Sequence, residues 1–324
     1  MPGSHEARIP DENRGQRLDQ ALAALFPEFS RTRLKTWIDA GRVLVDGRTL
    51  RPKDLVSGGE RVEVHPVDEP MVEVAPEAIA INVVYEDPSL FVIDKPAGLV
   101  VHPGAGNPRA TLQNALLHRD PALARLPRAG IVHRIDKDTS GLLVVARTPD
   151  AHMRLTKAIA SHEVERRYEA VTNGVMTAGG TVNAPIDRHP VDRLRMAVRT
   201  DGREAVTHYR VVERFRAHTH VRVELETGRT HQIRVHLAHA GFPIVGDPLY
   251  GKRIVIPRRP AEGLEALLRG FRRQALHAAR LAFEHPDGRG RVEFVAPLPA
   301  DLAGLIAALE SDARLARADP RARD

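Results

Sequence analysis

Apolar residues recur at helical spacing from Arg17 onward. Leu18, Ala21, Leu22, Leu25 and Phe26 fall on one face, and Pro27 ends the pattern. Ser30 is a natural N-cap for a second helix over Arg31–Ala40, with Gly41 at its C-terminal end. Arg42 to Leu50 reads as a hairpin turned on Asp46-Gly47, and Arg61–Val64 alternates as a last strand. These elements predict a small αβ domain over residues 15–75. Residues 1–14 show neither apolar periodicity nor a capping pattern, so they are expected to form a flexible tail. Pro66, Pro70 and Pro76, interspersed with acids, mark a linker.

Past the linker the period changes. Ile81–Tyr85 and Leu90–Ile93 are short strands about an Asp87-Pro88 turn, and Gly141–Ala146 is an apolar run suited to a strand buried on both faces. Thr148 caps a helix that has Pro149 at its first position and runs to about Ser161. Further strands are expected at Arg167–Val171, Ala205–Glu213, His220–Leu225 and Arg291–Phe294, with a closing helix over Pro299–Ala308. Strands dominate and no βαβ period repeats. The expected class is α+β: a large mixed, mainly antiparallel sheet with flanking helices over residues 80–310, beside the small αβ domain. Residues 311–324, rich in Arg and Asp, are expected to be a flexible tail.

Composition narrows the chemistry. Aromatics are 4% of 324 residues, so the core must rest on Val, Leu, Ile and Ala. The absence of cysteine excludes disulfides, thiol nucleophiles and Cys-ligated metals. A formal charge of +6 tilts the balance towards a polyanionic partner. The N-terminus lacks the apolar segment of a secretory signal, and no run is long enough to cross a bilayer, so a soluble cytoplasmic protein is expected. Gly104 and Gly106 stand without a Rossmann pattern and read as a turn; no cofactor is expected.

Two clusters carry reactive side chains. Gly130 to Gly141 holds Asp136 and Asp138 beside His133, Arg134 and Lys137, at the mouth of the buried strand. For Asp138, Thr139 and Ser140 the simpler reading is a turn whose side chains bond to local backbone. Asp136, among basic residues, is more consistent with ion pairing or tuned acidity. Glu226 to His239 leaves a strand at Thr227-Gly228 and continues as an amphipathic helix. His231 and His236 are five apart, off the i, i+4 spacing of paired helical ligands, so no metal is expected, although His236 and His239 are three apart. An Arg from this helix aimed at a carboxylate from another segment would keep that carboxylate ionised.

His133-Arg-Ile-Asp-Lys-Asp-Thr-Ser-Gly-Leu-Leu143 resembles the signature of the RluA-type pseudouridine synthases. Arg167-Tyr-Glu-Ala-Val171, Thr227–His236 and Gly246-Asp-Pro-Leu-Tyr-Gly251 match that family in order and spacing. Ile135 stands where the family commonly has Leu. The N-terminal segment, with Arg17-Leu18-Asp19, Ser30-Arg31 and Gly41 to Gly47, resembles an S4 RNA-binding domain. The resemblance implies isomerisation of uridine to pseudouridine in stem-loops of 23S ribosomal RNA, on the free rRNA or a large-subunit precursor, by a protein expected to be monomeric. It implies Asp136 as the carboxylate that starts base detachment, Tyr168 stacking on the uracil and assisting proton removal, and Arg234 paired with Asp136. His133 and Arg134 would meet substrate, with Arg134 filling the space of the flipped uridine, and Leu142 and Ile233 would wall the site. Arg31, Arg33, Lys35 and Arg42 would contact RNA phosphates, which fix position without reading sequence. Whether Asp136 attacks C1′ or C6, or acts through a glycal, stays open.

Two other classes compete. A non-catalytic RNA-binding assembly factor would need the basic module but not Asp136, Tyr168 and Arg234. A nucleoside or glycosyl hydrolase would need a separated acid and base pair, and only Asp136 has a credible basic partner.

Overall fold

A computed structural model describes residues 4–27, 29, 31–66, 74–104, 106–251 and 253–318. They fall into two compact units, Met1–Glu73 and Val74–Asp324.

In the first unit, α1 (Leu18–Leu25) and α2 (Arg31–Asp39) cover a three-stranded sheet of β1 (His5–Arg8), β2 (Val43–Val45) and β3 (Arg61–Val64), in the order β1-β3-β2. Leu18, Leu22, Leu34 and Trp37 pack with Val43, Val45, Val62 and Val64 in one apolar core. The expected N-terminal tail is corrected here. His5–Arg8 pairs antiparallel with β3, and Ile9 behind it is buried. Besides its backbone ladder the strand turns His5 and Ala7 inward, His5 edge-on to Phe26 and Phe29, and with a polar ring and a small side chain as its inner face the alternation is too weak to stand out in sequence. The Asp46-Gly47 turn forms, with Val45 and Arg48 exchanging backbone hydrogen bonds of 2.8 and 3.0 Å. Its outgoing arm is no strand, however: β2 takes β3 as its partner, which brings the four valines onto one face. Ser30 lies outside the described residues, so its expected capping role is not described.

The second unit contains β4 (Asn82–Glu86), β5 (Leu90–Lys95), α3 (Leu112–Arg119), β6 (Ser140–Ala146), α4 (Pro149–Ala160), β7 (Glu165–Asn173), β8 (Gly180–Asn183), β9 (Ile186–Arg188), β10 (Met196–Val198), β11 (Val206–Arg214), β12 (His218–Leu225), α5 (Gln232–His239), α6 (Leu264–Gly270), β13 (Leu276–Glu284), β14 (Arg291–Val295) and α7 (Ala300–Ala318). The large sheet runs β4-β5-β6-β13-β7-β12-β11-β8, with β14 on β13 and β9 paired with β10 apart from it. Pairing is antiparallel except between β6 and β13, so the α+β expectation of a mixed, mainly antiparallel sheet holds. Thr148 caps α4 as expected, its hydroxyl accepting from Ala151 N at 3.2 Å.

β6 is buried along its whole length because both of its faces are covered. Leu143 and Val145 point into the main core, while Leu142, Val144 and Ala146 pack on the other side with Phe283 and Leu155. α7 runs ten residues beyond the expected end at Ala308, to Ala318. The expected tail is therefore helical over 311–318, and residues 319–324 lie outside the described set. Asp312, which reads as a solvated acid in sequence, is buried and accepts from Arg216 at 3.2 Å and from Ala261 N at 2.7 Å. Among the described residues no helix is long and apolar enough to cross a membrane.

Candidate active site

The loop before β6 is pinned from several directions. Thr139 N donates to Asp136 O at 3.1 Å, closing a turn. The side chains that follow do not bond to local backbone as expected. Gln274 Nε2 donates to the Thr139 hydroxyl at 3.0 Å, and Ser140 Oγ lies 3.0 Å from His277 Nδ1. The partners come from the β13 segment, 135 and 137 residues away, which no local reading reaches. Gly141, at φ +113°, lets the chain enter β6 against β13, where a Cβ would come within 2.3 Å of Ala278 O. Buried Lys95 donates to the carbonyls of Pro96, Leu99 and Lys137 at 2.7, 2.9 and 2.9 Å, fastening the Asp136 loop to the end of β5. Burial pushes its ammonium down to about 7, against the pull of Asp138 and Asp136.

The second cluster is held just as firmly. Gln232 Oε1 accepts from Thr227 Oγ1 at 2.8 Å and from Arg229 N at 2.9 Å, and its Nε2 donates to Val206 O and to the Thr207 hydroxyl at 2.9 Å. His231 precedes the helix in the left-handed region. Arg234, one turn in, is 4% exposed and carries three charge-assisted bonds. Nη1 reaches Asp136 Oδ2 at 2.9 Å, while Nε and Nη2 clamp Asp247 at 2.7 and 2.9 Å. Burial lowers the Arg234 pKa, but the two carboxylates outweigh it and raise the net value. Burial likewise would lift Asp247, but Arg234 and the amides of Leu249 and Tyr250 hold its carboxyl below the usual range. Gly246, at φ +73°, lets the chain just before Asp247 pass against the Phe271–Arg273 segment, where a Cβ would meet Arg273 O at 2.2 Å.

Tyr250 closes the back of the pair. Its ring lies 5.1 Å from the Arg234 guanidinium, and its hydroxyl accepts from Met196 N and meets His231 Nδ1, both at 2.8 Å. His231 Nε2 is 3.9 Å from Asp136 Oδ1. Burial, aided by Arg234, holds this imidazole below its ordinary value despite Asp136, so the contact is polar rather than an ion pair.

Asp136, Tyr168, Arg234, His133, Arg134 and Ile233 line one cleft, together with His102, Arg128, Arg166 and Arg229. Among the described residues Asp136 is the one carboxylate in that lining. Tyr168 stands on β7 and is 6% exposed; burial raises its phenol, more than the nearby Arg166 lowers it. His133 Nε2 accepts from Val144 N at 3.1 Å, and burial with the charge of Arg166 pushes the ring down to about 3, so it is neutral. The expectation that Leu142 walls the site is corrected. Strand alternation turns Leu142 to the opposite face of the sheet, among Leu90, Val92 and Phe283, while Ile233 does line the cleft.

His236 uses both ring nitrogens, towards Thr207 Oγ1 at 2.8 Å and Ala184 O at 2.9 Å, so it is not available as a ligand. Among the described residues, Asp87, His285 and Asp287 form the single cluster with metal-ligand spacing. It lies outside the cleft, and Arg289 already pairs with both of its carboxylates.

The four S4-like basic residues differ in setting. Arg31 is committed to buried Asp19 at 2.7 Å, which Arg17 also holds at 3.0 Å. Arg33 stacks on Trp37 at 4.8 Å. Lys35 and Arg42 are exposed, and neither has an ion pair among the described residues. Sequence reasoning assigned no role to Asp247, Tyr250, Arg166 or His102. For the first two the signal was present in the Gly246 to Gly251 segment; for the others it was not.

Comparison with known proteins agrees with this arrangement. The RNA pseudouridylate synthase family model matches residues 89–239, and the S4 domain model matches residues 16–62. The ribosomal large subunit pseudouridine synthase D of Xanthomonas campestris pv. campestris is 58% identical over 307 residues, 95% of this chain and 93% of that protein. That of Pseudomonas aeruginosa is 54% identical over 306 residues, 94% and 96% of the two chains, and that of Escherichia coli K12 is 52% identical over 307, 94% of each. Among solved structures, human RNA pseudouridylate synthase domain containing 4 superposes with a TM-score of 0.56 at 26% identity, over 71% of this chain and 93% of that one.

Proposed function

Because the chain belongs to the RNA pseudouridylate synthase family, we propose that it converts uridine to pseudouridine in 23S ribosomal RNA, with Asp136 as the carboxylate that starts base detachment. The observation that carries this reading is the Arg234 Nη1 to Asp136 Oδ2 bond of 2.9 Å, in a cleft where Asp136 has no second carboxylate beside it. A hydrolase working with a separated acid and base pair finds no partner acid there. An isomerase needs only one carboxylate, since the base removed at N1 is the base returned through C5.

The target uridine must leave its stack to reach the cleft, which costs a few kcal/mol. Tyr168 offers a ring for the base to stack on, offsetting about 1–3 kcal/mol of that cost. Exposed Arg134 at the cleft edge suits the space vacated in the RNA. In the S4 unit, matched by its family model, Lys35 and Arg42 are the cations best placed to meet phosphates, because Arg31 is taken by Asp19. The test is large-subunit rRNA carrying tritium at uridine C5. The wild type should release tritium to water and leave pseudouridine in the chain, while Asp136→Asn should bind the RNA and release none. Free uracil would instead mark a hydrolase, and binding without any release would mark an RNA-binding factor.

A further inference from the structure

We propose that Arg166 is a second catalytic residue of this cleft, whose guanidinium faces the uracil and stabilises the negative charge the base carries once detached. The inference rests on the function proposed above. Arg166 is on β7 two positions before Tyr168, so both side chains leave the same face of the strand, and both line the cleft with Asp136. It is 7% exposed, and its Nε is buried without a hydrogen-bond partner. Nη2 alone finds an acceptor, Glu226 O at 3.3 Å, and among the described residues no carboxylate pairs with it. Arg234, equally buried, has two carboxylates.

A buried cation left without an anion is destabilising unless a ligand completes it. The chain also leaves room for this one. A Cβ at Gly228 would come within 2.7 Å of Arg166 Nη1, and nothing else lies closer than 3.7 Å. Its charge lowers the pKa of both His133 and Tyr168, in keeping with its place two residues from Tyr168 on the same face of β7.

The reaction supplies the missing anion. When N1–C1′ breaks, its electron pair stays with the base, and uracil becomes an anion with charge on N1, O2 and O4. C1′ is taken by an Asp136 oxygen, or C2′ yields a proton to Asp136 on the glycal route. Attack at C6 instead moves the charge to O4. On the first two routes the base bears one negative charge until C5 bonds to C1′, which releases the Asp136 carboxylate from C1′ or takes the proton back from it onto C2′; the C5 proton then passes to water and N1 gains a proton. A buried donor aimed at charge that develops during reaction acts on the rate, whereas a phosphate contact acts on binding. Exposed Arg128 and Arg134 in the same lining are the better placed for phosphates.

Full-length Arg166→Gln, Arg166→Lys and Gly228→Ala are compared with wild type on C5-tritiated large-subunit rRNA, under single turnover with saturating enzyme and by equilibrium binding across salt. Arg166→Gln should lose on the order of 10²–10³ in rate, with Kd within about twofold and an unchanged salt slope. Arg166→Lys should recover part of the rate. Gly228→Ala should slow the wild type by displacing the guanidinium, yet cost little more in the Arg166→Gln background, because the group it displaces is gone. A weaker Kd with a shallower salt slope and a normal saturated rate would overturn the proposal in favour of a phosphate contact. Full rate in Arg166→Gln would overturn it outright while leaving the proposed function standing. No release by wild type would overturn both.

Discussion

Asp247 takes two of the three hydrogen-bonding positions that Arg234 uses, at 2.7 and 2.9 Å, and thereby leaves Nη1 aimed at Asp136. Asp136 thus meets a cation that a fully buried acid, itself fixed by the amides of Leu249 and Tyr250, has already oriented. Asp247→Asn should keep an acceptor for those amides but remove the charge that balances buried Arg234. Stability should fall by about 3 kcal/mol. Turnover should fall on the order of 10²-fold through misplacement of Nη1, with RNA binding retained. Urea unfolding and single-turnover tritium release measure the two effects; an unchanged rate would mean that Asp136 alone orients Arg234.

Tyr168→Phe keeps the ring and loses the hydroxyl. RNA affinity should stay within about twofold, while the rate should drop by roughly 10² or more if the hydroxyl takes part in proton transfer. Burial raises the phenol, so its ionised form is scarce at neutral pH. The wild-type rate should therefore climb through the alkaline range, and the Phe variant should show no such climb. Equal rates for the two proteins would remove the hydroxyl from the chemistry.

Three histidines, His218 buried and His102 and His133 half-buried, make stability depend on acidity. Burial pushes His133 down to about 3 and His102 and His218 to about 4, with nearby arginines adding to the effect at the first two. Between about pH 4 and 6.5 the unfolded chain binds protons at these sites and the folded chain does not, so stability rises with pH across that window and the histidine contribution levels off above it. Each histidine contributes at most about 1.4 kcal/mol per pH unit there. Urea midpoints at pH 7, 6 and 5 should fall in that order; equal midpoints would show that these rings charge within the fold.

The basic residues of the S4 unit should separate by experiment. Lys35→Ala and Arg42→Ala should each weaken RNA binding and flatten its log–log salt slope by roughly 0.7–0.9 for each phosphate no longer neutralised. Arg31→Ala should instead lower stability by about 1 kcal/mol, since Asp19 keeps only Arg17. Thermal unfolding and binding titrations over salt distinguish the two behaviours.

Local spacing along the chain specified the elements with a strong period and singled out the candidate side chains of the site. The helix capped by Thr148, the strand ending at Ala146 and the segments bearing Asp136, Tyr168 and Arg234 were all legible, because local spacing encodes which face is apolar and where a helix starts. Which residues meet across the fold was settled by long-range packing. Asp247, the Gln274 and His277 partners of Thr139 and Ser140, the burial of Asp312 and the Arg166 Nε left without a hydrogen-bond partner among the described residues each depend on segments far apart in the chain. The same reason governs Leu142 and the N-terminal strand. A residue's face follows from what covers the sheet, and a four-residue edge strand whose inner face is His5 and Ala7 is recognised by its backbone pairing, which side-chain pattern hardly marks.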